Sequence, residues 1–429
     1  MLTKCALQRD LNSVWHPCMQ MKEFEALPLI AVKEARGSYL YDFDGNGYID
    51  GISSWWVNIF GHANPKLNKA ISNQLEKFAH IMTANFTHMP MINLAERLIS
   101  KTNGKLSRVF FADNGSSAIE AALKLSYQYY YNLGEQRDIF IAFENSYHGE
   151  TLGALSVGDV GLYKKTYEKL LLKTVISPIP ADTGDIETQK AIDALKENLK
   201  NLNGRACGVI IEPLVQCAGY MHMHSPEFLK KLREVCDEYN VHLILDEIAV
   251  GFGRTGSFFA HEQAGITPDI MCLSKGITGG YMPLSTVLCT SKIYEAFYDE
   301  KIEKAFLHSH SYSGNALACA AANAVLDIFE EEDTIKNLAP KIKHISDRLS
   351  SLSDNGRAQN KRQTGMIAAF ELDTKEPKPS LSIFTEALKH GLFIRPLGNT
   401  VYVMPHLSIT HDEIDKMFEA IEKTIKKVK

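Results

Sequence analysis

The spacing of hydrophobic and polar residues changes character along the chain. Between residues 37 and 53, apolar and aromatic positions are interrupted by Asp-Gly and Asn-Gly pairs, which predicts a β-hairpin. From about residue 65 the apolar positions recur at helical spacing. The segment 108–115, RVFFADNG, is then a short apolar run ending in a turn, and a helical pattern follows over 116–132. This part of the chain is predicted to be a strand–turn–helix unit.

The rest of the chain alternates apolar runs with helical patterns. Further runs have the length and residue types of buried strands, at 139–149, 206–216, 241–253 and 269–277. This alternation predicts an α/β fold with a mainly parallel central sheet covered by helices on both faces. After about Gly314 the pattern changes to helices and short strands, which indicates a smaller α+β lobe. The predicted domains are an N-terminal segment joining the small lobe (1–64), a large domain (65–313) and a C-terminal small domain (314–429).

Composition and charge argue against several classes of protein, namely nucleic-acid-binding, membrane-spanning, secreted and zinc-binding proteins. The chain has 429 residues, a formal net charge of -5 and no long run of Lys or Arg, so it lacks the basic footprint of a nucleic-acid-binding protein. No window reaches the ~18 consecutive apolar residues of a membrane span, and no secretory signal pattern opens the sequence. The eight cysteines form no Cys-x-x-Cys pair and suggest neither zinc nor a disulfide framework. These features favour a cytoplasmic protein without a metal site.

Three predicted strand ends carry candidate chemistry. Gly115 and Ser116 lie where a strand gives way to a helix, a position that suits a phosphate, although an ordinary helix cap has the same residue types. Asp246 ends another apolar run and points to the crevice where ligands bind in open sheets, or it belongs to a structural ion pair. Lys275 follows the next run, where small neighbours would lower its pKa and favour a Schiff-base amine; a snorkelling side chain is the alternative.

Taken together, these residues match the needs of one cofactor. Pyridoxal phosphate (PLP) requires an anion site, a carboxylate for its pyridine nitrogen and an amine for its aldehyde. An aromatic residue to cover the ring is also needed, and Tyr147 follows a predicted strand in the segment ENSYHG. The combination predicts a PLP enzyme, which no single motif does.

Four segments resemble the successive signatures of the class III PLP aminotransferases: SYHGETLGALS (146–156), LDEIAVGFGRTG (245–256), LSKGITGGYMPLS (273–285) and HSHSYSGNALACAAAN (308–323). The resemblance implies a fold-type I homodimer with active sites shared between subunits. It also implies that Lys275 forms the Schiff base with PLP, that Asp246 keeps the pyridine nitrogen protonated, and that Tyr147 stacks on the ring and faces the substrate. Gly115 and Ser116 would then bind the phosphate.

The resemblance assigns further roles near the substrate and the partner subunit. Ser311 stands where the family usually has a threonine whose hydroxyl reaches the partner's cofactor phosphate, and Ser309 and His310 lie beside it. Arg395 would bind a substrate carboxylate through its planar guanidinium.

Three other segments, 15–21, 53–62 and 394–405, resemble the branch of the family that aminates 8-amino-7-oxononanoate in biotin biosynthesis, usually with S-adenosylmethionine as amino donor. Ala249 fits this branch, because many other class III enzymes have Gln there. Two residues depart from its pattern: Cys18 replaces a usual Tyr, and Glu150 replaces a usual Asp. S-adenosylmethionine is therefore the expected donor, and lysine, which is known as a donor in related enzymes, is the alternative.

The three tryptophans lie within the first 56 residues. The resemblance implies that Trp55 forms an apolar wall against the long substrate, that Trp56 packs in the lobe, and that Trp15 closes the same pocket. Other functions stay open at this point: a class III enzyme acting on an omega-amino acid such as ornithine or 4-aminobutyrate, a racemase on the same scaffold, or a non-catalytic binding protein that retains the fold.

Overall fold

The computed structural model describes residues 2–25, 27 and 29–429. The chain divides into two compact units. One combines residues 1–64 with 340–429, and the other is the continuous stretch 65–339. The N-terminal segment therefore shares a unit with the C-terminal part of the chain.

A seven-stranded sheet forms the centre of the larger unit. Its spatial order is Arg108–Ala112, Ser285–Cys289, Ile270–Leu273, His242–Asp246, Ala206–Ile211, Ile139–Phe143, Thr174–Ser177. Ser285–Cys289 runs antiparallel to both of its neighbours, and the other six strands run in one direction. The prediction of a mainly parallel sheet is confirmed, and six carboxyl ends meet at one edge.

The central strands are apolar because both faces of the sheet are covered. Every residue of Ile139–Phe143, Ala206–Ile211 and His242–Asp246 is buried. Strands buried on both sides show continuous apolar runs rather than alternation. The helices of this unit are Pro65–Leu75, Met89–Lys101, Gly115–Asn132, Leu152–Ser156, Gly161–Lys164, Asp185–Asn201, Pro226–Glu238, Ser291–Glu295 and Ala316–Glu331. Its 3-10 helices are Lys165–Leu170, Ala260–Ala264, Lys275–Thr278, Ile302–Lys304 and Lys336–Leu338, and a short ribbon joins Val215–Gln216 to His222–Met223.

The helix Ala316–Glu331 lies in the larger unit, whereas the sequence prediction began the C-terminal domain at residue 314. It packs against the helices Pro65–Leu75 and Met89–Lys101. Arg97 ties it there through ion pairs to Asp327 at 2.7 Å and Glu330 at 2.9 Å. The apolar pattern predicted the helix, but the partners that cover its apolar face are distant in sequence.

Two small sheets organise the smaller unit. The first contains Val32–Arg36, Tyr39–Asp42, Gly47–Asp50 and Leu392–Phe393, and the second contains Ala358–Thr364, Ile367–Leu372 and Thr400–Val403. The predicted hairpin is present as the antiparallel pair Tyr39–Asp42 and Gly47–Asp50. The helices are Leu2–Ser13, Ala339–Ser350 (which begins at the last residue of the larger unit), Pro379–Lys389 and His411–Lys427, with a 3-10 helix at Met21–Glu25 and a single turn at Ser53–Trp56.

Among the described residues, no helix combines the length and apolar character needed to cross a membrane. The same residues contain no group of three or more His, Cys, Asp or Glu side chains that could hold a metal ion.

Candidate active site

The predicted site residues of the larger unit follow the strands that end at one edge of the sheet. Asp246 is the last residue of its strand, and Cys272 is its partner in the neighbouring parallel strand. Lys275 comes three residues after Cys272, so the pairing register brings the carboxylate and the amine to the same edge. Gly115 and Tyr147 follow two other strands with the same direction.

Asp246 is buried and held from two sides. One carboxylate oxygen, Oδ1, accepts the backbone N–H of Ile248 at 3.0 Å, and the other, Oδ2, lies 2.7 Å from Nδ1 of His148. Nε2 of His148 is buried without a partner among the described residues. A buried carboxylate needs such partners, because desolvation of an unpaired charge costs several kcal/mol. No sequence pattern assigned this role to His148, although its position directly after Tyr147 is a signal for it.

Lys275 begins a short 3-10 helix with a left-handed backbone conformation, at φ 46°. The preceding residue, Ser274, fixes the start of this turn by donating its hydroxyl to the carbonyl of Leu284 at 2.8 Å. Burial lowers the pKa of the Lys275 amine, and the nearby Asp246 carboxylate opposes that effect. A lowered pKa increases the fraction of neutral amine, which is the form that attacks a carbonyl carbon.

Glu212 is a second buried carboxyl group at this edge. Its Oε2 accepts the N–H of Tyr147 and its Oε1 accepts the N–H of Cys217, both at 3.0 Å. Burial raises the pKa of Glu212 to about 7, and the charge of Asp246 adds to that effect while His148 and the two N–H groups oppose it. Glu212 thus fixes the backbone of Tyr147. This role of Glu212 was not predicted from the sequence, because only the fold shows which loops it joins.

The helix that starts at Gly115 could hold an anion at its first turn. Asn114 caps the helix by accepting the N–H of Ser117 at 3.1 Å. The first N–H groups of a helix have no intrahelical partner, so among the described residues those of Gly115 and Ser116 stay available to an anion. The helix cap is therefore Asn114. The backbone N–H groups of the next two residues, Gly115 and Ser116, remain available to a ligand.

Glycine is required where the next loop crosses this helix start. Gly149 has φ 123°, and a Cβ atom there would lie 2.0 Å from Oγ of Ser116. A Cβ on Gly115 would lie 3.1 Å from the Ile248 side chain. Beside this crossing, the Tyr147 hydroxyl donates to Glu150 Oε1 at 3.1 Å, and the Glu150 N–H donates to Ser116 Oγ at 3.3 Å. Small residues thus keep the backbone open for a bulky anion.

These groups fit PLP. The buried carboxylate of Asp246 suits a protonated pyridine nitrogen, the amine of Lys275 suits an aldehyde, and the glycine-lined helix start suits a phosphate. Asp246 and His148 also form a pair in which one imidazole nitrogen orients the carboxylate. The donor set of the larger unit therefore has each group that the cofactor requires.

Residues 309–311 lie in a different environment. Ser309 and Ser311 are exposed. The carbonyl of Ser311 is 2.7 Å from Nε2 of His80, and the N–H of His310 donates to Ser313 Oγ at 3.2 Å. Their assignment to the cofactor of a partner subunit stays a prediction.

The smaller unit brings Trp55 and Arg395 together. The guanidinium carbon of Arg395 lies 4.7 Å from the centroid of the Trp55 ring, a cation–π contact. Arg395 also donates to the carbonyl of Cys18 at 3.0 Å. Trp56 is buried, as its packing role implies, and donates its ring N–H to the Tyr402 hydroxyl at 3.2 Å. Trp15 is 81% exposed, so the expectation that it closes a pocket is not met within one chain.

Comparison with known proteins agrees with this chemistry. The family model described as aminotransferase class-III matches residues 20–425. The chain belongs to the class-III aminotransferase family. It is therefore a PLP-dependent transferase, and the cofactor inferred from the strand ends is the one that this family uses.

Relatives within the class-III aminotransferases cover almost the whole chain. Adenosylmethionine-8-amino-7-oxononanoate aminotransferase of Helicobacter pylori is 50% identical over 95% of this chain and 94% of its own length. The enzyme of the same name from Geobacter sulfurreducens is 40% identical over 97% of this chain and 96% of its own. The crystal structure of that aminotransferase from Methanocaldococcus jannaschii covers 99% of both chains with a TM-score of 0.94 at 34% identity. A PLP-bound amine transaminase from an uncultivated Pseudomonas species has a TM-score of 0.91 at 31% identity, covering 97% of this chain and 99% of its own.

Replacing Lys275 by Ala is expected to abolish both the near-visible absorbance of the lysine-linked cofactor and turnover. Loss of a proton-transferring group alone costs about 10²–10⁴-fold in rate. Absorbance spectra and single-turnover assays measure the two effects. Lys292→Ala is the control, because this exposed lysine follows the strand Ser285–Cys289 at the opposite edge of the sheet. A Lys275→Ala variant that retained both properties would contradict the assignment.

Replacing Gly149 by Ala is expected to weaken PLP binding by roughly tenfold or more, because the added Cβ would collide with Ser116 and strain the backbone. Titration of the cofactor-free protein with PLP, followed by absorbance, measures the affinity. Gly134→Ala is the matched control, since Gly134 also has a positive φ, 79°, but has open space around it. Equal affinities for the two variants would show that the crossing at Gly149 does not shape the cofactor site.

Proposed function

We propose that this chain transfers an amino group to 8-amino-7-oxononanoate to form 7,8-diaminononanoate, in biotin biosynthesis, with S-adenosylmethionine as the amino donor. The observation that carries the proposal is the 50% identity to the Helicobacter pylori enzyme over 95% of this chain. Ala249, which distinguishes this branch from enzymes with Gln at that position, supports it. The exposed aromatic ring of Trp55 beside Arg395 also suits a substrate that is apolar along its length and anionic at its end.

The larger unit would carry the chemical steps. When bound, PLP supplies an aldehyde that accepts the donor's amino group and a ring that withdraws electrons from the reacting carbon. Lys275 would move a proton from the donor carbon to the cofactor carbon that carried the aldehyde, and in the second half-reaction it would move a proton from that carbon to the former ketone carbon of the substrate. Its lowered pKa favours the neutral amine that starts this transfer. Asp246 would hold a proton at the pyridine nitrogen, and Gly115 and Ser116 would hold the phosphate. Tyr147, whose backbone Glu212 fixes, would cover the ring.

The smaller unit would bind the keto substrate. Arg395 would take its carboxylate, a task that suits a planar guanidinium. Trp55 would pack against its methylene chain, where each buried methylene contributes ~0.8 kcal/mol. The guanidinium already lies over the indole ring, so the charged and apolar recognition groups are adjacent.

A homodimer would complete each site. The hydroxyl of Ser311 would reach the phosphate bound by the partner subunit, with His310 beside the cofactor and Ser309 beside the substrate. Ser309 and Ser311 are exposed, which suits that role. We also propose a cytoplasmic location. The seven cysteines that the structure describes form no disulfide, which is the usual state of cysteine in a reducing compartment.

The direct test of the proposed function is product formation. The holoenzyme is incubated with 8-amino-7-oxononanoate and S-adenosylmethionine, and 7,8-diaminononanoate is measured by mass spectrometry. Ornithine and 4-aminobutyrate, tested as amino donors with a common keto acid, represent the other class III activities. Turnover of these compounds without any diaminononanoate would overturn the proposal. A purified protein that is yellow and loses its colour with hydroxylamine would exclude a non-catalytic binding protein that lacks the cofactor.

The amino donor has a test of its own, because Cys18 and Glu150 depart from the family pattern near the substrate. We expect S-adenosylmethionine, and not lysine, to convert the PLP form of the enzyme to the aminated cofactor. The change in the near-visible spectrum on adding each donor separately measures this half-reaction. Conversion by lysine alone would show that lysine, and not S-adenosylmethionine, is the amino donor. The proposal that 8-amino-7-oxononanoate is the keto substrate would still stand.

Replacing Trp55 by Ala is expected to raise KM for the keto substrate about tenfold while PLP affinity changes little. Loss of contact with about two methylenes corresponds to that factor. Steady-state kinetics with varied 8-amino-7-oxononanoate and a PLP titration measure the two quantities. Tyr298→Ala is the control, since Tyr298 is an aromatic residue that is 81% exposed in the larger unit. An unchanged KM in Trp55→Ala would assign Trp55 to packing.

A further inference from the structure

The segment that carries Trp55 has an unusual backbone. Ser53, Ser54, Trp55 and Trp56 have φ values of 52°, 48°, 71° and 71°, so four consecutive residues lie in the left-handed region, and none is glycine. The turn is closed by the N–H of Trp56, which donates to the carbonyl of Ile52 at 2.8 Å, and by that of Val57, which donates to the carbonyl of Ser53 at 3.0 Å. L-residues adopt this conformation in succession only where their surroundings hold them in it.

Asp50 is the residue that holds the turn at its start. It is 1% exposed, and its Oδ1 accepts the N–H of Ser54 at 2.9 Å. Its Oδ2 accepts the hydroxyl of Ser54 at 2.7 Å and lies 2.9 Å from Nε2 of His62. Burial by itself would raise the pKa of Asp50, but the hydrogen bonds from His62 and Ser54 outweigh burial and lower it. The carboxylate is thus stabilised in its charged form by the turn that it organises.

Two further hydrogen bonds fix the residues on either side of Ser54 and Trp55, whereas the Trp55 ring is partly exposed. The hydroxyl of Ser53 donates to the carbonyl of Met404 at 2.7 Å, and the ring of Trp56 is anchored to the hydroxyl of Tyr402. Trp55 is 37% exposed and faces Arg395. In a right-handed turn the two tryptophan rings would leave the backbone in other directions, so the left-handed conformation determines where Trp55 stands.

The strand pairing explains why Arg395 meets this turn. Asp50 is the last residue of its strand and is paired in parallel with Phe393. The two segments of the chain therefore leave the sheet side by side. One enters the left-handed turn, and the other reaches Arg395 two residues after Phe393. Asp50 lies at this branch point: its backbone N–H donates to the carbonyl of Ser38 at 2.8 Å, and its carboxylate has described hydrogen bonds to Ser54 of the turn and to His62.

We infer that Asp50 is a positioning residue for substrate specificity: by holding the left-handed turn, it sets the Trp55 ring against Arg395 and so selects substrates with a long apolar chain. This inference rests on the proposed function, because it assigns the keto substrate to Trp55. Asp50 itself touches neither substrate nor cofactor in this role.

The first test replaces Asp50 by Asn, which keeps the shape of the side chain but removes one acceptor oxygen and the charge. KM for 8-amino-7-oxononanoate is expected to rise about tenfold, while kcat and PLP affinity change less than about twofold. Asp42→Asn is the matched control: Asp42 also organises a turn of the same sheet, by accepting bonds from Asp44, Asn46 and Tyr48, but does not contact the Trp55 turn. A variant with unaltered KM, or with kcat, KM and PLP affinity all impaired alike, would overturn the inference.

A double-mutant cycle separates positioning from general stability. If Asp50 acts through Trp55, then Asp50→Asn combined with Trp55→Ala raises KM about tenfold, as each single change does, rather than about a hundredfold. Additive effects would mean that Asp50 acts by another route. If Trp55→Ala leaves KM unchanged while diaminononanoate still forms, the specificity inference fails and the proposed function stands. If no diaminononanoate forms with the wild-type enzyme, the proposed function itself fails.

A glycine rescue tests the backbone argument without relying on turnover. Ser54→Gly should partly restore the Asp50→Asn variant, because glycine adopts positive φ without steric cost, whereas Ser54→Ala should not. The readout is acrylamide quenching of the tryptophan fluorescence of cofactor-free protein in a Trp15→Phe background, where Trp55 and Trp56 are the two remaining tryptophans. Asp50→Asn is expected to change the quenching and Ser54→Gly to bring it back towards the starting value. Quenching that is unaffected by Asp50→Asn would show that Asp50 does not hold the turn.

Discussion

The burial of an amine and a carboxylate at neighbouring strand ends is the constraint on which the larger unit depends. Each charge loses its hydration there, at a cost of several kcal/mol, so other groups must compensate. Asp246 is held by a backbone N–H and by His148, and its own charge supports the Lys275 amine. This arrangement needs strands that run in one direction, because only then do their carboxyl ends, and the loops after them, converge at one edge.

The candidate site also depends on a close approach of the backbone at Gly149 to the start of the helix at Gly115. The loop after Tyr147 crosses the helix start at Ser116 so closely that a single Cβ on Gly149 would collide with it. Glu212 holds the other end of that loop through the Tyr147 N–H. The helix start at Ser116, Tyr147 and the buried carboxyl group of Glu212 are therefore connected through one loop.

Under the proposed function, the smaller unit would recognise a molecule with an apolar chain and an anionic end. A flat ring and a guanidinium in contact present both surfaces together. Their proximity depends on a parallel strand pair between segments more than three hundred residues apart in the sequence and on a left-handed turn. Neither feature follows from residue type, since serine and tryptophan have no preference for positive φ.

The sequence by itself determined the local elements and the candidate cofactor chemistry. Period and apolar runs predicted the hairpin, the strand–turn–helix unit and the mainly parallel sheet, and the polar residues at the strand ends predicted PLP with Lys275 and Asp246. Tertiary structure alone decided that Ala316–Glu331 belongs to the larger unit, that His148 and Glu212 support the site, and that Trp15 is exposed. The physical reason is range: backbone preference and amphipathic period act over a few residues and are visible in the sequence. Burial, pairing of charges and strained turns arise from contacts between distant segments, which exist only once the chain has folded.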